Sequence, residues 1–271
     1  MADISATVVT LNEEENIRDC LETLTWCNEI VVVDSYSDDD TVEIAREYTN
    51  EIYTYERTGY GDPARKKALE EVSGDWICMI DADEMVPRQL AGRLRKEAEQ
   101  GEHDVIHAPR MNFSLGKWIN AGGWWPDYRP VLYHTDVVSY SETIHDFMSF
   151  DEGCKERKLE VNQENAIRHF NHTDIEDKLS RVNRYTTIEA KQSEFNYTQL
   201  LIAPPVEFVR RLILQKGYRL GWRGAILAVI QAWYQWLVAI KSWEIERIGG
   251  NEGIANIYDN ERSKVLNEWE H

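Results

Sequence analysis

Along the first hundred positions, apolar residues fall in short blocks, and each block ends in a polar cluster. Ile4 to Leu11 is rich in β-branched residues and reads as a buried first strand. Asn12-Glu13-Glu14-Glu15 ends that strand and opens a helix through about Leu24. Glu29 to Asp34 is a second strand, followed by a helix from Thr41 to about Tyr48 and a third strand from Glu51 to Tyr55. Gly59-Tyr60-Gly61-Asp62-Pro63 is a loop by its breakers. A helix then runs from Arg65 to about Val72, and a strand from Trp76 to Asp81 whose Ile77–Ile80 core suits burial on both faces. Pro87 is placed to begin a helix reaching about Gln100. This alternation predicts an α/β fold: a mostly parallel, doubly wound sheet with helices on both faces.

After about residue 104 the pattern changes. Val105 to Arg110 and Tyr128 to Tyr133 read as strands. The loop between them, Lys117 to Asp127, combines Gly122-Gly123 with Trp124-Trp125, large flat faces suited to stacking on a sugar, although tryptophans more often pack in a core. A helix opens at Thr173, Asp174 or Ile175 and runs to about Lys191.

From Pro204 the chain changes again. Phe208, Val209, Leu212, Ile213 and Leu214 share a helix with Arg210, Arg211 and Lys216, and Arg219 and Arg223 lead into an apolar run from Gly224 to Ile240. That run falls short of the roughly 20 residues a membrane span needs. Its glutamines, tryptophans and neighbouring cations fit an interfacial helix better, with a core helix or a homodimer face left open.

At 271 residues, with 42% hydrophobic and 11% aromatic content, the chain can bury a full core. A net charge of −18 excludes nucleic acid as an expected partner, and acid spread along the whole chain points to a halophilic source. Four scattered cysteines, with no Cys-x-x-Cys pair, leave neither a zinc site nor a disulfide framework to expect. The first residues carry no basic or long apolar region, so a cytoplasmic catalytic part is expected.

In an α/β sheet, ligands bind at the carboxyl ends of the strands. Thr10-Leu11-Asn12-Glu13, Asp34-Ser35 and Asp81-Ala82-Asp83 all fall at that edge. Two carboxylates two residues apart point the same way in an extended chain, and hard oxygens suit a divalent cation that also grips phosphates. Asp-x-Asp in so acidic a chain can also be a solvated turn. His145 beside Asp146, and His169 with His172, are by spacing alone ordinary polar residues as readily as catalytic groups or ligands.

Together these stretches resemble a known family. Val8 to Asn16, Val32 to Thr41 and Gly74 to Glu84 are similar to family 2 glycosyltransferases of GT-A fold. Arg110-Met111-Asn112, Leu115 to Ile119, Gly122 to Asp127 and Asn183-Arg184-Tyr185 point to the branch of lipopolysaccharide-core and surface-glycan glucosyltransferases. The resemblance covers roughly residues 4 to 190. It implies a nucleotide-sugar-binding half over 1–104, an acceptor-binding and catalytic half over 105–200, and an amphipathic helical extension over 201–271.

By position, the resemblance implies that Thr10, Asn12, Glu13, Asp34, Ser35, Arg65 and Asp81 hold the nucleotide sugar, a UDP- or GDP-hexose. It also implies that Asp81 and Asp83, with His169, hold Mg²⁺ or Mn²⁺. Asp146, beside His145, stands where the branch carries Val-His-Glu and becomes the candidate base, one methylene shorter. Trp124, Trp125, Asp127 and Arg129 fall to the acceptor side. The implied reaction is an inverting, metal-dependent hexosyl transfer to a lipid-linked acceptor, a polyprenyl or dolichyl phosphate or a lipid-linked glycan. It would take place at the cytoplasmic membrane face, in surface-glycan or N-glycan assembly. A phosphate acceptor needs no base. The alternatives are a non-catalytic, membrane-associated glycan-binding protein of the same fold, and a nucleotidyltransferase, which would want a basic, Gly-rich first loop where this one is acidic.

Overall fold

The computed structural model describes residues 2–57, 62–140, 148–170 and 174–269. In chain order the elements are β1 (Ile4–Thr10), α1 (Ile17–Glu22), β2 (Glu29–Asp34), α2 (Thr41–Ala45), β3 (Ile52–Thr54), α3 (Asp62–Glu71), β4 (Trp76–Asp81), β5 (Glu84–Met85), α4 (Arg88–Gln100), β6 (Val105–Ser114), β7 (Lys117–Trp118) and β8 (Asp127–His134). Then follow β9 (Val138–Tyr140), β10 (Met148–Phe150), β11 (Glu156–Lys158), β12 (Ile167–Phe170), α5 (Ile175–Ala190), α6 (Tyr197–Leu201), α7 (Ala203–Val209), α8 (Trp222–Ile248) and α9 (Gly250–Trp269). The chain divides into two units. One comprises residues 1–120 and 124–173; the other comprises residues 121–123 and 174–271.

The first unit is built on one mixed sheet in the order β3-β2-β1-β4-β8-β6-β12-β5. The β3-β2-β1-β4 half is parallel throughout, as the alternation of strands and helices predicts. β8 then enters antiparallel to both β4 and β6, and β12 returns parallel to β6. Alternation along β2 decides the layers. Val32 packs with Ile17, Leu21, Leu90 and Leu94 on one face, while Val31 and Val33 meet Ala64 and Ala68 of α3 on the other. Each such buried aliphatic side chain contributes about 1.5–3 kcal/mol. Gly74 precedes β4 where a Cβ would stand 2.7 Å from Ser5 Oγ and 3.0 Å from Asp3 O, so β4 can lie against β1 only without a side chain there.

Several boundaries differ from the sequence reading. β6 runs on to Ser114, four residues past Arg110. Pro87 stands outside α4 at its N-cap with extended backbone, not at its first turn. The first helix is shorter than expected because Glu13 O accepts the Asn16 and Ile17 N–H groups in a turn before α1 begins. β4 stops at Asp81, and Ala82-Asp83 form a turn closed by the Glu84 carboxylate, which accepts the Asp81 N–H at 3.0 Å. The two aspartates therefore do not sit on one extended strand.

Apart from residues 121–123, the second unit is helical, runs from Asp174 and takes in α5. α5 belongs there because it packs on α8: Tyr234 donates to Glu189 at 2.6 Å, and Lys241 Nζ donates to Asn183 O at 2.7 Å and Thr187 Oγ1 at 2.7 Å. Where the apolar run alone falls short of a span, α8 extends it through Glu244 and Arg247 to 27 residues. By length and composition it is long and apolar enough to cross a membrane, and 33% of its most apolar window is buried within the protein. Gly224 lets α8 approach the preceding 3-10 turn, since a Cβ would fall 1.9 Å from Gly217 O.

Large exposed apolar side chains of this unit occur both ahead of α8's centre and beyond it, on α8 and α9, where Trp236, Leu266 and Trp269 are exposed. Leu201, Ile202, Val206, Ile213, Leu214 and Trp222 are exposed, Trp222 at 86%, whereas Val238 and Ala239 are buried and Trp233, Leu237 and Ile240 are half-buried.

Candidate functional site

Four strand ends of the first unit carry the candidate groups. Thr10 closes β1 in register with Asp34 at the end of β2, and both are buried. Asp34 shapes the loop beyond it: its carboxylate accepts from Ser37 N at 2.9 Å and Ser37 Oγ at 2.5 Å, a local turn bond typical of Asp. Ser35, buried, donates its N–H to Thr10 O at 2.9 Å. Asn12 adopts a left-handed conformation (φ 54°) and joins this loop through Ser37 Oγ at 2.8 Å and Asp38 Oδ1 at 2.7 Å. Glu13 donates its N–H to Thr41 Oγ1 at 2.8 Å and holds Asn16 Nδ2 at 2.8 Å. Among these groups Thr10 Oγ1 stands out, because it is buried without a hydrogen-bond partner among the described residues. A buried hydroxyl is seldom left so, and a water, an ion or a ligand supplies the partner.

The acidic turn faces two cations and an imidazole. Arg65, on α3, reaches Asp81 Oδ1 at 2.5 Å. Burial opposes ionisation of Asp81, but the Arg65 guanidinium, aided by Arg110 and His169, outweighs it and holds the carboxyl down at about 2. Asp83 Oδ2 lies 3.3 Å from His169 Nε2, both side chains being buried. Glu84 is pushed the other way, raised by burial and by Asp81 and partly relieved by Arg110.

Sheet register binds these groups to the second half of the unit. β6 pairs Arg110 with Asp127 and Asn112 with His169, and β5 pairs Glu84 with His169. Residues two apart on a strand share a face, so Arg110 and Asn112 project together. Arg110 donates to Glu84 Oε1 at 3.0 Å and to Asp127 Oδ2 at 2.9 Å through Nε and 2.8 Å through its terminal nitrogen. Asn112 Nδ2 donates to Asp127 Oδ2 at 3.0 Å and Trp124 O at 3.4 Å, and its Oδ1 meets His169 Nδ1 at 2.6 Å. Burial tends to raise Asp127, yet Arg110, Asn112 and Arg129 together hold it below the ordinary carboxylate range. A carboxylate so occupied is a weak base.

Arg129 lies 3.7 Å from Asp127 and is 57% exposed. Trp124 and Trp125 are half-buried. The Trp125 ring meets Trp118 edge to face at 5.3 Å, so it belongs to an aromatic cluster and is not a bare platform. His145, Asp146 and His172 lie outside the described residues, as does Gly59-Tyr60-Gly61.

Arg110, Asn112 and Glu84 tie this network together, and pattern reading leaves them without a role in it. The available signal was Arg-x-Asn at alternate positions of a strand.

Among the described residues no three or more His, Cys, Asp and Glu side chains gather closely enough to hold an ion unaided. What is present is a buried carboxylate–imidazole pair. That donor set suits a divalent cation which takes its remaining ligands from phosphate oxygens and water.

Residues 5–155 match the family model described as glycosyl transferase family 2. A lipopolysaccharide core biosynthesis glycosyltransferase, LpsC of Rhizobium meliloti, is 26% identical over 255 residues, covering 89% of this chain and 92% of that protein. An uncharacterised glycosyltransferase of Rickettsia felis is 25% identical over 265 residues, covering 88% of each. Among solved structures, Staphylococcus aureus TarS 1–349 aligns over 90% of each chain at 16% identity with a TM-score of 0.44. The family model matches more than half of the chain, over the elements that carry the acidic turn, Arg65 and Arg110, while His169 on β12 lies beyond it. The chain belongs to glycosyl transferase family 2, with a GT-A-like mixed sheet, and is a glycosyltransferase.

Proposed function

We propose that the enzyme moves a hexose from a nucleoside-diphosphate donor to a lipid-linked acceptor with inversion, using Mg²⁺ or Mn²⁺. The observation that carries this reading is the convergence of Asp81, Asp83, Arg65 and His169 at the carboxyl edge of the sheet. A relative supports it by what it is: LpsC is a lipopolysaccharide core biosynthesis glycosyltransferase.

In this reading the loop of Asn12, Asp34, Ser35 and Ser37 receives the nucleoside, with Thr10 Oγ1 available to the ligand. Arg65, beside Asp81, is the cation that meets the diphosphate. Asp83 and His169 hold the cation, which when bound neutralises charge gathering on the leaving diphosphate. Arg110 counters the charge of Glu84 and Asp127, so neither needs that cation for its own stability. Asp146 is the proposed base that takes the acceptor proton, since Asp127 is already committed to Arg110 and Asn112. Where the acceptor is a lipid phosphate, already ionised, no base is required.

The seat on the membrane is the exposed apolar surface of Leu201, Ile202, Val206, Ile213, Leu214 and Trp222, interleaved with Arg210, Lys216, Arg219 and Arg223. Apolar anchors beside cations suit the headgroup region of an anionic leaflet. A screen of UDP- and GDP-hexoses for hydrolysis and thermal protection, with and without Mn²⁺, tests the donor. Protection by neither nucleotide class would reject this donor assignment.

A further inference from the structure

We infer that Asn112 is a positioning residue that selects the imidazole tautomer of His169. The inference builds on the proposed roles of Asp83 and His169. Asn112 is buried, at 2% exposure, in mid-sheet on β6, where an unpaired amide would be costly. Its polar groups are all used. Nδ2 donates to Asp127 Oδ2 and to Trp124 O, and neither of those oxygens can donate back. The amide is thereby oriented, and the Oδ1 facing His169 Nδ1 at 2.6 Å can only accept. In the neutral ring the hydrogen then sits on Nδ1, and Nε2, 3.3 Å from Asp83 Oδ2, carries the lone pair.

Asp127 is itself fixed by two bonds from Arg110, so the order runs Arg110, Asp127, Asn112, His169, Asp83. The register of three strands sets it: Arg110 opposite Asp127, and Asn112 opposite His169. An apolar residue at 112 would fit a buried strand at lower cost. It would leave the ring free to place its hydrogen on Nε2 and donate to Asp83, closing off the nitrogen that a metal ligand needs.

The test reads the tautomer directly, by long-range ¹H–¹⁵N correlation on protein with ¹⁵N-labelled histidine, free of metal and nucleotide, at a pH well above the ordinary imidazole range. A His169→Gln sample assigns the signal. The expected result is the Nδ1-hydrogen form in the parent, a shift to the Nε2-hydrogen form in Asn112→Leu, and retention of the Nδ1 form in Asn112→Asp, which keeps an acceptor. Asp127→Asn, which removes the anchor but keeps the amide, gives a mixture and serves if Asn112→Leu does not fold. A parent carrying the hydrogen on Nε2 or on both nitrogens, or an Asn112→Leu or Asp127→Asn variant that keeps the pure Nδ1 form, overturns the inference. Because no metal is present, this result is independent of whether Asp83 and His169 bind one.

Discussion

His169 Nε2 stands 3.3 Å from Asp83 Oδ2, one residue from β12 and the other from the turn that follows β4, both buried. No local pattern brings them together. They meet because β5 and β6 clamp β12 on either side, with His169 opposite Glu84 on one edge and opposite Asn112 on the other.

Arg110 is the cation on which one buried carboxylate, Glu84, and one half-buried carboxylate, Asp127, depend. Its side chain is 11% exposed and spans Glu84 and Asp127. Arg110→Ala leaves Glu84 without its cation and Asp127 with only Asn112 and Arg129, a change that costs about 3–5 kcal/mol in comparable buried pairs. Urea unfolding should show a loss of that size, and a loss below about 1 kcal/mol would mean the carboxylates find other partners.

The Asp81–Arg65 pair has a pH signature. The folded carboxyl titrates at about 2, below the ordinary Asp value of ~3.9, so the unfolded chain binds more protons between those limits. Its stabilisation is complete above that ordinary value and is lost as the pH falls towards 2. Arg65→Met raises the folded value, so the acid-unfolding midpoint should move to higher pH. An unchanged acid limb would show that the pair contributes nothing to stability.

Much of this site was legible in the sequence, and the reason is local. Thr10, Asp34 and Asp81 each end an apolar run, and runs that end in polar residues mark the ligand edge of a parallel sheet. Asn112 and Arg110 were not legible in the same way. Their meaning lies in which strand pairs with β6 and in what register, and both partners come from further along the chain: Asp127 on β8 and His169 on β12. The extent of α8 was misjudged from hydropathy alone because Glu244 and Arg247 continue the helix beyond the apolar run. Asp81-x-Asp83 was read as extended, whereas Glu84 folds it into a turn that sends the two carboxylates to different partners.

Turnover should depend on Asp146. Asp146→Asn is expected to lower kcat by about 10²–10⁴-fold with nucleotide affinity nearly unchanged. A loss below tenfold would favour a phosphate acceptor that needs no base.

Membrane attachment should reside in the exposed apolar residues ahead of α8's centre. Each cation beside an anionic leaflet contributes about 1 kcal/mol and is screened by salt, whereas apolar burial is not. At high salt, changing Ile213, Leu214 and Trp222 to Ser should release the protein from anionic liposomes more than Arg219→Gln with Arg223→Gln. The reverse order would make the attachment electrostatic. Parent protein that never binds liposomes, and apolar variants that change its oligomeric state, would make the surface an interface between copies.

The central claim, a metal-dependent diphosphate site at the edge of the sheet, is tested most directly by thermal protection with UDP and GDP across a Mn²⁺ titration, on the parent and on Asp83→Ala. The account predicts protection in the parent only when Mn²⁺ is present, and no Mn²⁺-dependent protection in the variant, whose unliganded melting temperature stays close to the parent's. Protection that is independent of Mn²⁺ in the parent, or equal Mn²⁺-dependent protection in Asp83→Ala, would contradict it.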